Sequence, residues 1–231
     1  MSHSLNEIEA LSKCAARGAG LSWGMAEETG KAIRWLESHG LPGVAMLASL
    51  LAQNDRIAHG AVAPQFLEGT RGLDGIWAAS SGRLCPLIAG AALNDCADRL
   101  TAGHDIEMSN VSHPLLAVPF AAWAAIHLGA PVTVAWGRFR GETDGYGLWV
   151  DDPIAQIEAA TPAAMSFALA APAAAAAPAA PRNDPVLAPG QRGHVCLAAW
   201  GHLNTFAHRT YAPASETSRL LGAGAGESDN D

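Results

Sequence analysis

Apolar residues recur at helical spacing through the first fifty positions and at strand spacing only beyond Pro131. Ser4 and Glu7 have the form of a capping box, and Leu5, Ile8, Leu11 and Ala15 then share one helical face until Gly18-Ala19-Gly20 ends it. Ser22 starts a second helix, with Glu27 and Glu28 near its positive end, Met25, Ile33 and Leu36 facing inward, and His39-Gly40 as the stop. Pro42 opens a third through Leu51, with Val44, Leu47, Leu50 and Leu51 apolar. Residues 55–81 are glycine-rich and weakly periodic, with a short strand expected over 61–67. Cys85-Pro86 begins a helix expected to reach about Leu100, because proline at the first helical position forfeits no hydrogen bond. The stretch 114–128 is apolar nearly all round and predicts a central buried helix, closed by Gly129 and Pro131.

Val132, Val134 and Trp136 then alternate with Thr133 and Ala135, glycines at 141 and 145 supply a turn, and Tyr146 to Val150 completes a hairpin. A third strand is expected over 164–170 and a last helix over 194–211, with Cys196, Trp200, Leu203 and Ala207 on its inner stripe. A short helical turn through Leu221 follows. Helices first, strands next and a closing helix predict an α+β fold, in which N-terminal helices and a central buried helix pack on a small antiparallel sheet. Residues 1–231 are read as one globular domain, with 171–181 a flexible Ala/Pro insertion and 222–231 a glycine-rich acidic tail.

Composition and charge add to this picture. Among 231 residues there are 49 alanines and 14 Lys+Arg against 22 Asp+Glu, net −8, which leaves no basic surface for nucleic acid. Only Lys13 and Lys31 are lysines, a bias of the kind that a GC-rich coding background produces. Cys14, Cys85, Cys96 and Cys196 form no CxxC pair, and the polar start carries no secretory pattern, so a reducing, cytoplasmic setting is expected. The uncharged run 108–137 is long enough to suggest a membrane span, but its prolines and histidines leave a helical piece shorter than the ~20 residues a bilayer requires.

Candidate chemistry gathers at two places. Cys85 sits at a helix N-terminus near Arg83, where dipole and guanidinium favour a thiolate, although a small buried residue is the alternative. The C-terminal segment is the densest polar group: His208 and Tyr211 offer acid–base or hydroxyl chemistry, while Arg209, Ser215, Glu216, Ser218 and Arg219 offer the inventory for holding a small anion. A solvated helix end with a Glu216–Arg219 pair is the competing reading. His194, His202 and His208 lack the i, i+4 spacing of a zinc pair, so no metal site is assigned, and no cofactor is named. His127, one turn after Trp123, reads as a core histidine. The Gly222–Gly226 tract has no following helix to complete a phosphate loop.

Ser38-His39-Gly40 resembles the Ser-His-Gly element near the start of the non-Rossmann malate and lactate dehydrogenases, but the likeness is one tripeptide after a helix and is taken as chance or remote analogy. More broadly, the N-terminal helices, Cys85-Pro86 with Ala89-Gly90, and the ending from Tyr211 resemble a proteobacterial family known only as a domain of unknown function. That resemblance implies a stand-alone bacterial protein and brings no activity with it. Two functions stay open: an enzyme acting on a small polar or carboxylated metabolite, or a non-catalytic binding or accessory subunit of a metabolic enzyme. A homo-oligomer or a partner enzyme is compatible with either, and a membrane or nucleic-acid partner is not expected.

Overall fold

The computed structural model describes residues 1–65, 76–101, 103–150, 162–170 and 186–211. Helices α1 (Leu5–Gly18), α2 (Trp23–Ser38) and α3 (Gly43–Asn54) follow the expected starts and stops. The Ser4 hydroxyl accepts the Glu7 N–H at 3.2 Å while the Glu7 carboxylate accepts the Ser4 N–H at 2.8 Å, so the capping box is complete. Ser22 likewise accepts from the Met25 N–H at 3.3 Å. Ile8, Ile33, Leu36, Leu47 and Leu50 are buried among these helices, and α8 (Leu197–Ala207) closes the group by lying on α1 and α3. Gly18 allows that closure, because a Cβ there would collide with the Phe206 carbonyl oxygen.

A turn of helix, α4 (His59–Val62), takes up the first two residues of the expected 61–67 strand, and Gln65 makes only an isolated bridge to Ala78. The rest of that expectation lies outside the described residues. The helix after Cys85 stops early: α5 (Pro86–Asp95) ends at Cys96, and α6 (Asp98–Thr101) is a separate turn. The segment 114–128 begins as a 3₁₀ turn (Pro114–Ala117) and continues as α7 (Val118–Leu128), the central buried helix. Gly129, at φ 63°, terminates it in the left-handed conformation. His127 corrects its reading as a core residue: its side chain is 64% exposed, with Nε2 3.5 Å from Asp98 Oδ1. One turn beyond Trp123, the ring has simply passed the edge of the buried face.

The sheet is larger than expected. β2 (Ile76–Trp77), β3 (Ile106–Val111), β4 (Val132–Trp136), β5 (Phe139–Thr143), β6 (Leu148–Val150), β7 (Ala163–Leu169) and β8 (Val186–Leu187) form seven strands in the order β2-β3-β7-β4-β5-β6-β8. All neighbours are antiparallel except β2 and β3. A separate two-stranded ribbon joins β1 (Ser2–Ser4) to β9 (Arg192–His194), so the last helix starts later than expected. The hairpin also turns elsewhere: β4 pairs with 139–143 through Gly137-Arg138, and the rings of Trp136 and Phe139 stack 3.7 Å apart across it. Gly141 is a strand residue whose missing side chain makes room for the Phe139 ring, not the turn residue its type suggested. Val132, Val134 and Trp136 point into the core where α7 packs on β4 and β5, giving the α+β arrangement of helices covering one sheet face. Among the described residues no helix is long and apolar enough to cross a membrane.

Candidate functional site

The sequence candidates separate in space. Cys85 is buried, and burial pushes its thiol up despite hydrogen bonds from the Ile88 and Leu87 N–H groups. The helix N-terminus is there, as expected, but desolvation of the thiolate outweighs it. Cys85 lines a cavity of only about 20 Å³ with His59 and Asn54. Arg209 is committed to Asp55 through two hydrogen bonds, 2.6 and 3.1 Å, and its guanidinium lies 4.4 Å from the centre of the Phe206 ring. His208 and Tyr211 meet edge to face with ring centres 5.0 Å apart, and Tyr211 is exposed. No hydrogen bond among the described residues joins either ring to Cys85. Ser215, Glu216, Ser218, Arg219 and the 171–181 and 222–231 segments lie outside the described residues.

A different group converges at the C-terminal end of α2. The helix ends at His39 and Gly40, Leu41 turns back so that its N–H reaches the Leu36 carbonyl at 2.9 Å, and α3 departs from Gly43. The segment leading into β9 passes over this turn: the Gly190 N–H donates to the Ser38 carbonyl at 2.5 Å, and Gly193 of β9 faces inward. A cleft of about 440 Å³ opens between the two, walled by residues 37–42 on one side and by Ala188, Gly190, Arg192 and His194 on the other.

Glu37 is among the residues that line the cleft. It is 5% exposed, its Oε1 accepts the Val44 N–H at 2.9 Å, and among the described residues it has no cation partner. That hydrogen bond caps α3, whose own N-cap, Pro42, has no side chain to do so. Burial pushes the carboxyl up to about 7, against the lowering effect of the Val44 N–H. Its second oxygen lies beside Gly193, where a Cβ would come within 3.0 Å of it and would collide with Ile8.

The His39 ring is anchored rather than free. Nδ1 lies 2.7 Å from the Trp35 carbonyl and 3.1 Å from Ser38 Oγ, Nε2 lies 3.0 Å from the Tyr146 carbonyl, and the ring stacks on Trp35 at 3.9 Å. With one ring nitrogen on a carbonyl of α2 and the other on the Tyr146 carbonyl, His39 links the end of α2 to the β5–β6 turn. Arg192 is held on the opposite wall by Ser2, with Nε donating to Ser2 Oγ at 2.8 Å and Nη2 to the Ser2 carbonyl at 3.2 Å. His194 stands two residues further on the same exposed face of β9. The sequence pattern did not single out Glu37, and it marked His39 as a helix stop and as part of the Ser38-His39-Gly40 tripeptide. The available signal was a carboxylate near the inner face of α2, one position after Leu36, with Arg34 one turn before it committed to Asn6 and Glu9.

A second buried imidazole lies elsewhere. His113, at φ 48°, is 2% exposed, with Nε2 2.8 Å from Ser49 Oγ, and burial pushes its pKa down, aided by the charge of Arg83. Among the described residues no group of three His, Cys, Asp or Glu side chains is placed to share a metal ion.

A family model described as a protein of unknown function (DUF3726) matches residues 3–83, the stretch that builds α1 to α3 and one wall of the cleft. The expected likeness to a family without an assigned activity holds there. No functionally curated protein matches the chain by sequence. Among solved structures, a malate dehydrogenase from Entamoeba histolytica is similar with a TM-score of 0.42 and 12% identity over 73% of this chain and 49% of that one. The chain thus spans about half the length of that enzyme.

Proposed function

We infer that this protein is an enzyme that moves a proton on a small polar metabolite held in the α2–β9 cleft, with Glu37 as the proton-transfer group. The observation that carries this reading is a 5%-exposed carboxyl, without a cation partner among the described residues and with a pKa of about 7, in the wall of a cleft of about 440 Å³. A general acid or base works best when its pKa lies near the working pH, and structural carboxylates gain nothing from being poised there. The volume falls within the ~300–1,000 Å³ range of small-molecule sites. Anchored His39 and Ser2-held Arg192 make both walls rigid, which proximity catalysis requires.

The test is a metabolite screen for turnover followed by Glu37→Gln, which keeps the α3 cap while removing the acid. Loss of about 10²–10⁴ in kcat, with a melting temperature at pH 6 no lower than the parent's, supports the reading. Full activity in Glu37→Gln together with loss in His208→Ala moves the chemistry to the C-terminal cluster. Ligand binding without any turnover assigns the cleft to an accessory subunit.

A further inference from the structure

We propose that Ser49 is a nucleophile toward small carboxylic esters, with the His113 imidazole behind it as its base, at a site separate from the α2–β9 cleft and independent of Glu37.

Ser49 lies in the middle of α3 and is exposed, while His113 is 2% exposed and leads into the 3₁₀ turn (Pro114–Ala117) that packs on α3. His113 Nε2 lies 2.8 Å from Ser49 Oγ, the reach at which a base activates a serine. Hydroxyls within helices commonly return to a carbonyl of the preceding turn, as those of Thr29, Ser38 and Thr205 do at 2.7 Å. Ser49 Oγ instead meets an imidazole 64 residues away in sequence. The His113 backbone sits at φ 48°, an uncommon conformation for a residue with a side chain, and one that persists where the surroundings over-determine it.

Burial and the charge of Arg83 both favour the neutral imidazole, so its lone pair is available through the neutral pH range. The turn after His113 packs on α2, α3, α5 and α7, and among the described residues the charge that acts on the ring is that of Arg83, just ahead of α5. With its proton on Nδ1, the ring accepts the Ser49 O–H at Nε2. Nδ1 is buried without a hydrogen-bond partner among the described residues, so no carboxylate there fixes that tautomer. In a serine triad the orienting carboxylate is worth about 10⁴ in kcat, so turnover at Ser49 is slow and a stoichiometric probe is the fitting readout. In the reaction, Ser49 Oγ bonds to the ester carbonyl carbon as its proton passes to Nε2. The alcohol leaves with that proton, and water then attacks the acyl-serine by the same route, releasing the acid and restoring Ser49.

The experiment is labelling of the full chain with a small alkyl fluorophosphonate from pH 5.5 to 8.5, followed by intact-mass and peptide mass spectrometry. An Oγ–P bond replaces the P–F bond, and fluoride and the Ser49 proton leave to solvent. The expected result is one adduct, on Ser49, that is absent in Ser49→Ala and forms at least tenfold more slowly in His113→Asn, since asparagine tolerates the positive φ. Because the ring's pKa lies below 6.5, the parent's rate at pH 6.5 is already more than half its value at pH 8.5. No adduct on Ser49, or an undiminished rate in folded His113→Asn, overturns the proposal. So does a parent rate that climbs tenfold per pH unit across the range, since hydroxide and not His113 then removes the proton. If His113→Asn does not fold, the parent's pH profile decides: a plateau above pH 6.5 supports His113 as the base, and a continuous climb refutes it.

Discussion

Replacing Glu37 by glutamine perturbs stability in a direction opposite to most losses of a buried charge. The folded chain holds the Glu37 proton up to about 7, whereas the unfolded chain releases it near the ordinary 4.5. Because the folded value is raised, the stabilisation from this group is fully present below 4.5 and is lost as pH rises through about 7, after which the difference is constant. The interval corresponds to about 3 kcal/mol, at 1.36 kcal/mol per pH unit. Glutamine keeps an oxygen for the Val44 N–H and carries no charge to desolvate. Glu37→Gln therefore matches the parent near pH 4.5 and exceeds it by about 3 kcal/mol at pH 8, a rise of roughly 6–12 °C in Tm for a chain of this size. Urea unfolding of both chains at half-unit steps from pH 4.5 to 8.5 provides the difference curve. Contributions common to both, including that of buried His113, cancel in the subtraction. A difference that stays flat within ~0.5 kcal/mol shows that Glu37 ionises like a solvated carboxylate and removes the physical basis of the cleft chemistry.

Gly18→Ala places a methyl group against the Phe206 carbonyl oxygen and is expected to cost about 1–3 kcal/mol in urea unfolding, by pushing α8 off α1. Ser4→Ala removes one half of the capping box and is expected to cost about 1 kcal/mol by the same measurement. Cys196 accepts N–H hydrogen bonds from Ala199 and Ala198 that hold its thiol below the usual range, so a disulfide reagent at pH 7 modifies it first, while buried Cys85 reacts only on unfolding. Mass spectrometry of the singly modified protein identifies the site, and early modification of Cys85 contradicts its burial. The Asp55–Arg209 pair is exposed, so Asp55→Asn is expected to change stability little and the change to fade in high salt, which thermal melts at two salt concentrations check.

Local signals in the sequence determined the helices. The Ser4–Glu7 box, Ser22, Pro42, Pro86 and Gly129 each act through backbone groups within a few residues, and each starts or ends an element in the structure as its chemistry requires. The strand of 163–169 and the central burial of α7 were legible for the same reason, since apolar pattern and length alone set them. Positions whose partners are distant in sequence were not legible. Gly141 served the Phe139 ring rather than a turn, β3 takes its place from pairing with β7, and the first strand pairs with residues about 190 positions away. The candidate site belongs wholly to that second class. Glu37 and Gly193 become neighbours only because β9 crosses the end of α2, and the property that singles out Glu37, a carboxyl that keeps its proton to about 7, arises from desolvation where Ile8 and β9 cover it. Sequence supplies the carboxyl and the helix that ends beside it. The cost of ionising it depends on what covers it, and only the tertiary structure decides that.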